Sequence, residues 1–334
     1  MNKAIVSLFL LTLPLPALAQ TARWQVVKVH KQKAFPKTVA AGNYSGLTPL
    51  GDNLYAVVDD KAAEDGFCIM RIDVNSVKGD IQHVSLERTV KNNLPSRDAE
   101  GITALDSLLY ITGEADNQIL AYRPDGSRTG FSLPLPSSLQ NISHRYGLES
   151  LTYDRQHQCF ITAPESTLQQ DGRQASAENG IANHIRLTGI NKQGDIRFEL
   201  HYQMDKPLSH KAASNYAMGV SELLSLPDGR LLILEREAHV PKRKIGAWVV
   251  CKLYIVDIDQ ALLSQGSAFV EKHLLTQWKT RINLTSRSWA NYEGMCLGPT
   301  LADGSQTILL VSDSQNQYGK VLRDWWRSIV IKPV

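Results

Sequence analysis

Short apolar runs separated by turn signals recur along the chain, and the same polar marks stand around each pair of runs. A small or acidic residue precedes a first apolar run, a turn follows, and a second, more hydrophobic run ends in a carboxylate. Ser45-Gly46-Leu47 leads to the run 54–58 and then Asp59-Asp60, and Asp98-Ala99-Glu100-Gly101-Ile102 leads to 108–112 and Glu114. Gly147-Leu148-Glu149-Ser150-Leu151 leads to 159–162 and Glu165, and Gly219-Val220-Ser221-Glu222-Leu223 leads to 231–234, Glu235 and Glu237. Asn291-Tyr292-Glu293-Gly294-Met295 leads to 307–311 and Asp313. Gly51-Asp52-Asn53, Pro227-Asp228-Gly229 and Ala302-Asp303-Gly304 supply tight reversals between the two runs. Third runs at 68–74, 118–122, 184–190 and 250–258, and fourth runs at 81–90, 196–202 and 269–278, are rich in strand formers.

Short strands at a long, repeated period predict an all-β repeat architecture. Four-stranded units around an axis make a β-propeller of about five or six blades, with a sandwich or open β-assembly as the alternative. A sixth, degenerate blade has room at 168–217 or 276–290. The β-rich ends, 23–30 and 328–334, are placed to pair and close the ring, which removes exposed edges. Trp325-Trp326 then reads as packing in the closing blade.

Residues 1–19 read differently. Lys3, an uncharged run over 4–13 and Ala17-Leu18-Ala19 have the three parts of a secretory signal peptide. The run is shorter than the roughly 20 apolar residues of a spanning helix. We therefore expect cleavage near Ala19, a periplasmic or secreted protein without a membrane span, and one domain over 20–334. A formal charge of +3 from 36 basic and 33 acidic residues, with no long basic block, argues against nucleic acid. Cys68, Cys159, Cys251 and Cys296 fit either two disulfides or four buried thiols. G-x-S-x-G, P-loop and G-x-G-x-x-G motifs are absent, and the nine His show no metal-ligand spacing, His144 and His184 being the weak candidates near repeat-related loops.

The candidate chemistry comes from strand order. Within an antiparallel pair the start of the first strand lies beside the end of the second, so the marker carboxylates should gather at one mouth of the channel. Glu100, Glu149, Glu222 and Glu293 are the expected catalytic groups. Glu100, Glu149, Glu235, Glu293 and Asp313 are the expected ligands of a divalent cation, with calcium the first choice because the donors are hard oxygens. Crowded carboxylates raise one another's pKa or recruit a cation, and bracing of turns is the alternative use for each of them. The loops 166–182 and 238–246 fall on the same face. Arg97, Arg236, Lys242 and Arg243 are the candidate contacts for a small anionic or ester substrate, and a monomer is expected.

GVSELLSLPDGRLLILERE and NYEGMCLGPTLADGSQTILLVSDSQNQ, with SRDAEGITAL and YGLESLTYD upstream, resemble the "esterase-like activity of phytase" family. The resemblance runs from about Gly46 to the C-terminal strands. It implies secretion, a phytase-like propeller, and Asp and Glu residues that carry phosphoester or ester hydrolysis. By match these are Glu100, Glu149, Glu222, Glu235, Glu293 and Asp313. The first repeat departs from the pattern with Ser45 before Gly46, and the third with Ser150 in place of Gly. A non-catalytic binding propeller and a lactone- or sugar-acting propeller enzyme are the rival functions.

Overall fold

The computed structural model describes residues 24–139, 142, 146–264 and 269–334, so the signal segment and His144 lie outside the described residues. It is a five-bladed β-propeller, each blade a four-stranded antiparallel sheet. Blade one holds β2 (Tyr44–Gly51), β3 (Leu54–Asp59), β4 (Glu64–Val74) and β5 (Ile81–Pro95). Blade two holds β6 (Ala99–Leu105), β7 (Leu108–Gly113), β8 (Gln118–Tyr122) and β9 (Arg128–Leu133). Blade three holds β10 (Leu148–Asp154), β11 (Cys159–Pro164), β12 (His184–Ile190) and β13 (Ile196–Gln203). Blade four holds β14 (Asn215–Ser225), β15 (Leu231–Val240), β16 (Trp248–Val256) and β17 (His273–Arg281). Blade five holds β18 (Asn291–Thr300), β19 (Gln306–Asp313), β20 (Trp326–Pro333) and, from the other end of the described chain, β1 (Trp24–Val29).

The anticipated pairing of the chain ends is present: β1 runs antiparallel to β20, with Trp24 opposite Pro333 and Val29 opposite Ile329. Neither proposed location for a sixth blade contains one. The stretch 168–217 supplies β12, β13 and the start of β14, and 276–290 supplies the end of β17 and a connection. The apolar run at 250–258 stops as a strand at Val256, because Asp257 accepts a hydrogen bond from Gln260 N and caps the short helix α1 (Ile258–Leu263). The four cysteines are free thiols, three of them buried, which resolves the two sequence readings in favour of packing.

Alternation along the second strands explains their unbroken apolar character. In β15, Leu232 and Leu234 pack toward blade five, while Leu231 and Ile233 pack toward blade three. In β19, Ile308 and Leu310 face blade four, and Leu309 and Val311 face blade one. Side chains point to opposite faces with period two, so a blade sandwiched between two others buries both faces. The core is thus five interblade wedges. Trp326 is fully buried in the wedge between blades five and one, beside Tyr44.

The inner strands β2, β6, β10, β14 and β18 touch in cyclic order around the axis. Each breaks register with its second strand near its start: between Tyr44 and Leu47, Ala99 and Ile102, Leu148 and Ser150, Val220 and Glu222, and Tyr292 and Gly294. The bulges coincide with the sequence markers. Gly46, Gly101 and Gly294 sit there because the next inner strand passes so close. A Cβ on Gly294 would stand 2.1 Å from Ser45 O, and one on Gly46 would stand 2.3 Å from Glu100 O. Both obstacles are backbone atoms that cannot rotate away. Gly294→Ala should therefore destabilise the fold by roughly 1–3 kcal/mol through overpacking. Chemical denaturation measures this, and an unchanged midpoint would refute the close approach.

Candidate active site at the channel mouth

Counting from the bulges puts the five units in register. The inserted position carries Ser45, Glu100, Glu149, Ser221 and Glu293 in blade order. Two residues earlier, Asn43, Asp98, Gly147, Gly219 and Asn291 stand opposite Asp60, Glu114, Glu165, Arg236 and Asp313. Two rings result, with three glutamates in the first, and four carboxylates and one arginine in the second. All seven of these carboxylates and Arg236 line one cavity of about 480 Å³. The rest of its wall is largely apolar, including Tyr216, Val240, Ile282, Trp289 and Leu322.

Arg236 is the centre of this arrangement. Its side chain is about 6 % exposed and it donates to Glu165 and to Glu293, with a further bond of 2.9 Å to Asn291 Oδ1. Burial alone would push the guanidinium pKa down, but the carboxylates of Glu165, Glu293 and Glu149 hold it above its ordinary value. Asn291 Nδ2 also donates to Glu293 at 2.7 Å. One residue therefore ties blades three, four and five together at the mouth.

The other carboxylates have less compensation. Burial pushes Glu149 well above the ordinary range, and the charges of Glu100 and Glu165 add to it. Among the described residues none donates a hydrogen bond to its carboxyl group. Glu100 is raised by burial and then by Asp60 and Glu293, and it accepts 2.5 Å from Ser45 Oγ. Glu293 is raised by burial and by Asp313 despite Arg236. Burial brings Asp60 to about 7, opposed by its ion pair with Lys61 at 3.3 Å and reinforced by Asp313. Its Oδ1 is buried without a partner. Asp313 is pushed up to about 6 by burial and accepts from Gln315 N at 2.5 Å. Glu114 accepts from Gly147 N at 3.2 Å and is raised by burial.

Of the expected residues, Glu100, Glu149, Glu293, Asp313 and Arg236 meet in the cavity, and the others do not. Glu222 does not line it. The Glu of GVSEL stands one position past that of GLESL when the units are aligned on Gly147 and Gly219, and a single step along a strand changes where a side chain goes. Its carboxyl group accepts from Leu223 N at 3.0 Å and Leu151 N at 3.4 Å and is also faced by Met295 N–H, bracing three inner strands. Glu235 and Glu237 point away from the channel because they flank Arg236 on a strand. Glu235 accepts from Tyr202 and Lys272 at 2.7 and 2.6 Å, and Glu237 accepts from Leu208 N and Ser209 N at 2.8 and 2.9 Å. Arg97 is buried, paired with both oxygens of Asp116 at 2.7 and 2.8 Å and bonded to Tyr122 Oη. Lys242 and Arg243 are exposed on the turn after β15, and it is Lys244 that reaches the rim, over the ring of Tyr318. Asp60, Glu114, Glu165 and the inward turn of Arg236 complete the site; the equal spacing of Gly147–Glu149 and Gly219–Ser221 was the available signal.

The donors suit a hard divalent cation in type. Among the described residues, however, no group of three or more His, Cys, Asp or Glu is placed to share a metal ion. Arg236 stands between two of the carboxylates instead. The arrangement does not fit a preformed calcium cage.

Residues 39–315 match the phytase-like family described as "Esterase-like activity of phytase". The chain belongs to this family. No curated protein sequence matches it. Among solved structures it is similar to a streptogramin B lyase, at 11 % identity and TM-score 0.38, covering 91 % of this chain and 98 % of that one. It is also similar to a DUF4221 protein of Bacteroides vulgatus, at 9 %, TM-score 0.41, 93 % and 99 %, and to the β-propeller domain of Myceliophteria thermophila Cps50 (Swd1), at 11 %, TM-score 0.35, 87 % and 83 %. These likenesses say nothing about chemistry.

Two outcomes follow from the charge arrangement. Arg236→Met leaves Glu165 and Glu293 buried without their cation, and should cost about 3–5 kcal/mol of stability in denaturant titrations; a smaller loss than Gly294→Ala would refute its central place. Asp60 has a folded pKa above its unfolded value, so its contribution is fully present below about pH 4 and is lost as pH rises through about 7. A tenfold change in proton affinity is worth about 1.4 kcal/mol. Asp60→Asn should therefore gain on the native chain, by on the order of 2 kcal/mol, between pH 5 and pH 8. Thermal unfolding across that range checks it, and parallel curves would contradict it.

Proposed function

We propose that this family member is an exported hydrolase, freed of residues 1–19, that cleaves a small ester at the carboxylate-lined mouth. The observation that carries the reading is one cavity in which carboxyl groups of shifted proton affinity face each other: Asp313 at about 6 and Asp60 at about 7, beside Glu100 and Glu149, which burial raises well above the ordinary carboxylate range. Groups of this kind divide base and acid work near neutral pH.

In this scheme Asp313 takes a proton from water as its oxygen attacks the acyl carbon. The tetrahedral oxyanion accepts a hydrogen bond from protonated Glu100 or Glu149. Collapse expels the alkoxide, which takes the proton of Asp60. The proton now on Asp313 returns to Asp60 through solvent, restoring the starting state. Arg236 positions Glu165 and Glu293 and neutralises them. Because its hydrogen bonds go to those two carboxylates and Asn291, a carboxylic ester suits the cavity better than a phosphate monoester.

The test is turnover of acetyl esters, an aryl phosphate and a phosphodiester by the purified chain, with calcium and with a chelator. Acetyl ester cleavage should survive the chelator, show a bell-shaped profile with limbs near pH 6 and 7, and fall about 10²–10³-fold in kcat in Asp313→Asn. Loss of activity with the chelator would move the chemistry to a bound cation, as the sequence suggested. Absence of turnover on every substrate would leave a binding propeller and overturn the proposal.

A further inference from the structure

The cavity has two unlike halves. Its floor carries seven carboxylates, and its wall on blades four and five carries Tyr216, Val240, Ile282, Trp289 and Leu322. Among the described residues, the positive charges that line it are Arg236, already committed to Glu165 and Glu293, and Lys244 at the rim, held by Tyr318. Glu149 is about 94 % buried, faces the cavity, and receives no hydrogen bond from any described residue. Asp60 Oδ1 is likewise buried without a partner.

We propose that the mouth takes an organic cation, a substituted ammonium carried on an apolar body, with the charge over Glu149 and Glu100 and the body against Trp289 and Ile282. The proposal rests on the mouth being the functional site and names the class of ligand or substrate it accepts.

Three features favour this class over others. A volume near 480 Å³ lies in the range of small-molecule sites, which typically pair an apolar lining with a few placed polar groups. An inorganic cation has no use for the apolar half, and the carboxylates do not converge on one point. An anion would meet the unpaired carboxylates with no uncommitted guanidinium among the described residues of the lining to receive it. An ammonium group supplies the charge that the floor lacks, and the aromatic faces on the wall attract it as well. The raised pKa values of Glu100 and Glu149 add a signature: a cation bound there lowers them, so protons leave the site on binding.

The experiment is calorimetry and tryptophan fluorescence on the mature chain at low and high salt. Choline is compared with its uncharged isostere 3,3-dimethylbutanol, and benzyltrimethylammonium with tetramethylammonium, benzylphosphonate and calcium. Choline should bind at least about tenfold tighter than the isostere, a difference worth about 1.4 kcal/mol. Benzyltrimethylammonium should bind tighter than tetramethylammonium, benzylphosphonate should not bind, and the enthalpy should vary with buffer as protons are released. Glu149→Gln should weaken each of the three ammonium ions about tenfold and leave 3,3-dimethylbutanol unchanged, while Trp289→Leu should abolish the preference for the benzyl group. Thermal unfolding establishes that each variant is folded. Equal binding of choline and its isostere, binding of benzylphosphonate, calcium outcompeting the ammonium ions, or no saturable binding at millimolar concentration would each overturn the inference. Binding without ester turnover sinks only the hydrolase reading, and ester turnover without cation preference sinks only this one.

Discussion

Five inner strands sharing one axis is the constraint from which the rest of this molecule follows. At the bulges their backbones approach until a Cβ no longer fits, as Gly46, Gly101 and Gly294 show. The extra residue at each bulge has to go elsewhere, and the mouth is the open direction. In three blades that residue is a glutamate. The feature that closes the ring thereby also crowds the site with acid groups.

That crowding needs compensation, and blade four provides it. Where the other units carry Asp60, Glu114, Glu165 and Asp313, the fourth carries Arg236. Its fork suits two carboxylates at once, which a lysine ammonium does not match. The remaining groups respond by holding protons, which burial favours. A mouth whose carboxyl groups differ in proton affinity is the physical basis of both the proposed hydrolysis and the proposed binding of organic cations.

Much of this was legible along the chain. The repeated markers Asp98–Gly101, Gly147–Leu151 and Asn291–Met295 located the inner strands, and the two β-rich ends announced the closing blade. Residues 250–256 announced a strand, while the cap at Asp257 was masked by the apolar Ile258 that follows. Glutamates that look alike in sequence proved unlike in place. Glu222 braces three strands, and Glu235 and Glu237 hold Tyr202, Lys272 and the backbone of the 208–209 turn.

Sequence alone determined the all-β repeat and which face of each blade carries the markers, because period-two patterning and turn chemistry are local properties. The tertiary structure decided the blade number, which of the marker residues enter the mouth, and that an arginine is buried among them. Those outcomes depend on register at a bulge and on the distance between strands far apart in the chain, and a one-residue offset there sends Glu222 and Glu149 to different surroundings.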